Sequence, residues 1–212
     1  KIIIKESHYR LLLEQEDDES ILLFGDSHTG TGGYSSNVKS IKKNVDVVYY
    51  GGQPSYNLVD KLQTALNSKH YDKVVIWVGN NDTRGSSTTI SSIQKMVDLV
   101  NKQNGTAYVV AGYDQRTFTL PWSEFRKKYP AETSPNKYDR MDPVGNTILR
   151  DKMRDEYIET QQSLSSSIHD AIVIPPFEFD ASYHAPNDNI HGNSKAASEV
   201  SKIIISYLDK PL

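Results

Sequence analysis

Val74-Val75-Ile76-Trp77-Val78-Gly79-Asn80-Asn81-Asp82 is an unbroken apolar run that ends in a glycine and three short polar residues. The run lacks polar alternation, so a strand built from it would be covered on both faces, as in a parallel sheet. Gly79 can adopt backbone conformations closed to other residues, and the polar residues behind it suit a turn. The same grammar recurs upstream. Ile21-Leu22-Leu23-Phe24 runs into Gly25-Asp26-Ser27-His28-Thr29, and Val47-Val48-Tyr49-Tyr50 into Gly51-Gly52. Strands are therefore expected over 21–25, 45–50, 73–78, 107–112 and 171–174.

Helix-like stretches fill the intervals, at about 34–43, 55–69, 88–104, 147–169 and 194–208. In the third, Ile90, Ile93, Met96, Val97 and Val100 recur at helical spacing, and Asn104-Gly105 supplies a stop. In the last, Ala196, Ala197, Val200, Ile203, Ile204 and Tyr207 repeat that logic. Strand–helix alternation with short connections predicts an α/β chain: a five-stranded parallel sheet between two helical layers, a three-layer α/β/α sandwich. Sites in such sheets form beyond the carboxyl ends of the strands.

Two segments depart from this alternation. Residues 1–20, with an acidic run from Glu14 to Glu19, read as an arm packed on the outside of a domain spanning 21–212. Residues 113–146 form a long insert with Phe118, Trp122, Phe125, Tyr129 and Tyr138 among Arg116, Arg126, Lys127, Lys128 and Arg140. Connections of this length are usually functional or disordered, and the aromatic content argues against disorder.

At 212 residues the chain has the length of one domain with a full core. A net charge of -3 provides no general field for nucleic acid or an anionic membrane. The chain contains no Cys, which excludes disulfides and thiolate metal sites. It shows no signal-peptide pattern and no apolar run long enough to insert in a membrane, and it begins at Lys1, which leaves the compartment open. There is no dense cluster of His and carboxylates and no glycine-rich phosphate loop, so neither a metal nor another cofactor is expected.

The turns beyond the strands carry the reactive side chains. Ser27 is a candidate nucleophile, a role in which its hydroxyl needs a base to take its proton. Asp188-Asn189-Ile190-His191 supplies a candidate base, His191, and a carboxylate three residues earlier to fix its tautomer. Gly52 and Asn81 are candidate donors to a developing oxyanion, one through its backbone and the other through its amide. Taken singly, each segment also reads as an ordinary polar turn or helix cap. Their order, with three of them at strand ends, is what favours a site.

These residues resemble the blocks of the SGNH hydrolases, the GDSL family of esterases and lipases. Gly25-Asp26-Ser27 is similar to the family's first block, and Gly52, or failing it Gly51, to the second-block glycine. Gly79-Asn80-Asn81-Asp82 matches the third block and Asp188 with His191 the last. The resemblance implies a flavodoxin-like fold, a Ser27–His191–Asp188 triad, and an oxyanion hole formed by the Ser27 N–H, the Gly52 N–H and the Asn81 side chain. It departs at His28, where many lipase members have Leu, and in the size of the insert.

The expected activity is a serine esterase that removes acyl groups, most readily acetyl, from a carbohydrate. The sugar preference rests on the Tyr-rich composition and on the insert. Trp122, Arg126 and Phe118 are candidate substrate contacts there, with His28 and His184 lining the site. An O-acyltransferase using the same triad, or a glycan-binding module without activity, are the alternatives.

Overall fold

Five short runs of Val, Ile, Leu and Tyr pair as one all-parallel sheet in the order β2-β1-β3-β4-β5. The strands are β1 (Ile21–Gly25), β2 (Val45–Tyr49), β3 (Lys73–Trp77), β4 (Thr106–Val110) and β5 (Ile172–Ile174). The structure is a computed structural model that describes residues 19–31, 33–130, 141–185 and 188–211. Most of the expected N-terminal arm, residues 1–18, and insert residues 131–140 lie outside the described residues.

The missing polar alternation has its explanation in the two cores. Ile21, Leu23, Val75, Trp77, Tyr108 and Val110 face one side, against α2 (Tyr34–Ile41) and α8 (Ser194–Leu208). Leu22, Phe24, Val74, Ile76, Ala107 and Val109 face the other, against α3 (Val59–Ser68), α4 (Ser86–Asn101) and α7 (Pro143–Ser167). Each residue of β1 and β3 is buried. Each fully buried large aliphatic side chain contributes about 1.5–3 kcal/mol, so these central strands and the helices packed on them share the apolar stabilisation. The flavodoxin-like α/β/α sandwich expected from the sequence is the fold observed.

Several helices differ from expectation in extent. The stretch at 55–69 is split into a 3₁₀ turn, Ser55–Asn57, and α3. Ser55 directs its backbone N–H and its hydroxyl to the Asp82 carboxylate, at 3.0 and 2.8 Å, and so belongs to the turn after β3. The helix α4 ends at Asn101, and Asn104 takes the left-handed conformation at φ 59°. The described part of the insert is largely helical, with α5 (Gln115–Phe118) and α6 (Trp122–Lys128). The long helix α7 begins four residues before its expected start, because Asp142 caps the Gly145 N–H at 3.0 Å and Pro143 fits the first turn.

Strand β1 is flanked by β2 and β3, so the chain leaves it in opposite directions along the sheet. The crevice beyond such a switch point is where open α/β sheets bind ligands.

Candidate active site

Gly25 closes β1 opposite Trp77, and a Cβ there would lie 2.1 Å from the Trp77 carbonyl oxygen. Only glycine fits, and the chain turns at once into α1 (Ser27–Thr31). The Asp26 N–H donates to the Trp77 carbonyl at 3.0 Å and the Thr29 N–H to the Asp26 carbonyl at 3.1 Å. This turn sets Ser27 at the carboxyl edge of the sheet, half-buried.

His191 arrives on the loop before α8. The loop is held by the Ala185 N–H on the His191 carbonyl at 3.0 Å and by Asn193, which caps α8 through the N–H groups of Lys195 and Ala196. His191 Nε2 lies 3.0 Å from Ser27 Oγ, and its Nδ1 lies 2.8 Å from Asp188 Oδ2. The other Asp188 oxygen accepts the N–H groups of Ile190 at 2.7 Å and His191 at 3.0 Å. Burial pushes the Asp188 carboxyl up, but the hydrogen bond and charge of His191 and the two backbone donors outweigh it. The net effect holds it below the usual carboxylate value. The side chains of His191 and Asp188 remain 26% and 34% exposed, so the chain of bonds is open to water at one end.

The turn after β3 brings the third segment in. Gly79 has φ +115°, a conformation that turns Asn80 and Asn81 back over the end of β1. Their amide nitrogens lie 3.4 and 3.5 Å from Asp26 Oδ2. Asp82 anchors the turn from below through Ser55.

Two adjacent glycines follow β2. A Cβ on Gly51 would lie 3.8 Å from Ser27 Cβ, whereas one on Gly52 would meet nothing within 4 Å. Gly52 has φ +71°, and Gly51 is the one that stands against the serine.

The remaining expected contacts sit differently. Phe118 is 1% exposed and stacks on Tyr113 at 4.1 Å, so its ring is part of the core and is not offered to a ligand. Trp122 is 8% exposed, packed edge-on against Phe125, with the guanidinium groups of Arg126 and Arg150 over its ring. Arg126 turns to the Tyr129 carbonyl and lines a hollow with Val144 and Ile148, away from Asn81. His184 binds the Phe118 carbonyl through Nε2; burial pushes its pKa down, against the opposing charge of Asp188. His28 is 2% exposed and closed off from any substrate. Trp122 nevertheless lines a cleft beside Asn80 and Asn81, together with the buried Gln115 and Thr119 and with Arg150 and Arg154 of α7. Nothing in the periodicity of the insert marks Gln115 and Thr119 as neighbours of that cleft, where α5 and its C-terminal cap place them.

No family model and no curated protein matches the chain. Solved structures do. A GDSL-like lipase from Bacteroides thetaiotaomicron superposes with a TM-score of 0.62 at 12% identity, over 94% of this chain and 91% of that one. An acetyl-xylooligosaccharide esterase from Geobacillus superposes with a TM-score of 0.64 at 12% identity, over 92% and 96%. The chain has the SGNH hydrolase fold. The candidate segments named from sequence fall at the carboxyl ends of β1, β2 and β3 and on the loop before α8.

Proposed function

We propose that this chain is a serine ester hydrolase acting on O-acetyl groups of a carbohydrate. The observation that carries the reading is the continuous Ser27–His191–Asp188 hydrogen-bond chain. In it, His191 Nε2 takes the Ser27 proton as Oγ attacks the ester carbonyl, then returns it to the leaving alcohol. Asp188 keeps the Nδ1–H tautomer and stabilises the imidazolium. Water, activated by the same histidine, releases the acyl group.

The oxyanion would sit between the Ser27 N–H, the glycine pair after β2 and the Asn81 amide. Gly52 is the second-block candidate by sequence, and the closeness of Gly51 to Ser27 makes both N–H groups part of this proposal.

Support for a sugar comes from the cleft beside Asn81. Its half-buried polar members, Asn80, Asn81, Arg150 and Arg154, offer amides and guanidinium groups beside the Trp122 ring, a lining suited to a hydroxylated substrate. The fold is shared with an acetyl-xylooligosaccharide esterase, which agrees with this substrate class. Of the insert residues expected to touch the substrate, Trp122 lines this cleft, whereas Phe118 and Arg126 do not.

The test is acetate release from p-nitrophenyl acetate and from acetylated oligosaccharides, with Ser27→Ala as the control. Turnover of both, lost in the variant, is expected. Undiminished turnover in Ser27→Ala would remove the serine mechanism, and turnover of the small ester alone would remove the carbohydrate.

A further inference from the structure

His28 follows the nucleophile candidate directly and is sealed from solvent at 2% exposure. Its two ring nitrogens face two acceptors. Nδ1 lies 3.0 Å from Asp26 Oδ1, and Nε2 lies 3.1 Å from the Ile190 carbonyl oxygen. A neutral imidazole has one N–H and satisfies one of these contacts. The Asp26 carboxylate also accepts the His28 backbone N–H at 3.0 Å and faces the amides of Asn80 and Asn81. The oxygen that faces Nδ1 already accepts the His28 backbone N–H, so it stands there as an acceptor and the ring supplies the proton on Nδ1.

The two partners lie on segments far apart in sequence. Asp26 precedes Ser27 in the nucleophile turn, and Ile190 precedes His191 on the final loop. The peptide between Ile190 and His191 is held from both sides, its N–H by Asp188 and its carbonyl by His28. We infer that His28 is a positioning residue, a buried imidazolium that ties the Ser27 turn to the His191 loop and must stay doubly protonated for the two to remain in register. This rests on the esterase reading of the triad.

The groups around the ring are consistent with that charge. Asp26 faces it from its own turn, and Asp188 and His191 from the final loop, the His191 ring at 5.0 Å. The Tyr113 ring lies 5.8 Å away beyond β4, and burial keeps its hydroxyl neutral. Trp77 of β3 stacks on it at 5.3 Å and carries no charge. Tyr34 of α2 turns its hydroxyl to Thr29. Burial pushes the His28 pKa down, but the charge and hydrogen bond of Asp26, helped by Ile190 and Asp188, outweigh it and leave it above the usual 6.5. Raising the pH through that value removes one donor and leaves a lone pair facing an acceptor. The bond to Ile190 or to Asp26 is then lost.

The first measurement is the ¹⁵N spectrum of the wild-type histidines at pH 7, which is independent of catalysis. Both nitrogens of His28 should be protonated. A neutral ring there overturns the proposal outright, whatever the fate of the esterase reading. The second uses p-nitrophenyl acetate, once loss of turnover in Ser27→Ala has established the serine mechanism. His28→Asn keeps a donor near the Nδ1 position, and His28→Gln one near the Nε2 position. Each should lower kcat by roughly 10–100-fold with little change in KM, as misplacement of reacting groups does. The wild-type alkaline limb should vanish in both. Wild-type kcat with an unchanged alkaline limb in folded variants would overturn the positioning role. If neither variant folds, the wild-type spectrum and the wild-type alkaline limb still decide.

Discussion

Asn81 contacts Asp26 and Asp188 contacts His191, and these environments give them separable signatures. The Asn81 side chain is half-buried and lines the cleft, with its amide 3.5 Å from Asp26 Oδ2, so in the proposed reaction it is poised at the crevice. Asn81→Ala is expected to lower kcat by roughly 10²–10³-fold with the fold retained, checked by turnover alongside circular dichroism. Asp188 is read instead through pH. Its folded pKa lies below the ordinary 3.8, so its ionised form is favoured in the folded state. Its stabilising contribution is present above the unfolded value, about 4, and disappears as pH falls through the lower folded value. The melting-temperature gap between wild type and Asp188→Asn should be widest above about pH 5 and close towards pH 3, measured by thermal melts across that range. Ser27, Asp188 and His191 were legible because each sits at a motif with fixed spacing. The charge of His28 was not, because it depends on Ile190, whose carbonyl comes from 162 residues away.

At the scale of elements, the strands were legible and the insert was not. The apolar runs of β1, β3 and β4 lack alternation because both faces are covered, a signal local to each run. The helices α5 and α6 are short and take their stability from tertiary contacts that no local pattern announces. Arg154 of α7 donates to the carbonyls of Gln115 and Thr119, and Asp151 accepts the Trp122 and Ser123 N–H groups. The aromatic residues of the insert look like a sugar platform in sequence and act as anchors in the fold. Trp122→Ala should therefore destabilise the protein by about 3 kcal/mol, the range for truncating a buried aromatic. Denaturant unfolding checks this. An unchanged unfolding midpoint with a raised KM for a glycan would return Trp122 to the substrate.

For the molecule as a whole, the parallel sheet is what gathers the site. Parallel strands end on one edge, so turns separated by tens of residues meet over β1 without any long excursion of the chain. The reversal of strand order at β1 opens the crevice there, and α5 of the insert together with α7 closes one side of it. Among the described residues, no helix is long and apolar enough to cross a membrane. The wall beside Asn81 is made of amides, Thr119 and two guanidinium groups, with Met153, Tyr157, Trp122 and Ile190 as its less polar members. A long acyl tail bound against that wall would displace water from polar groups and give them no hydrogen bonds in return, a penalty of about 1–3 kcal/mol for each group left unpaired. An acetyl group is too small to reach most of it. The expected outcome is that kcat/KM falls steadily from p-nitrophenyl acetate through butyrate to octanoate, with palmitate slowest. The series is best run with each ester below its micelle-forming concentration, so that solubility does not mimic selectivity. A rise in kcat/KM with chain length would mean that an apolar channel receives the acyl group, and the acetyl-carbohydrate proposal would give way to a lipase.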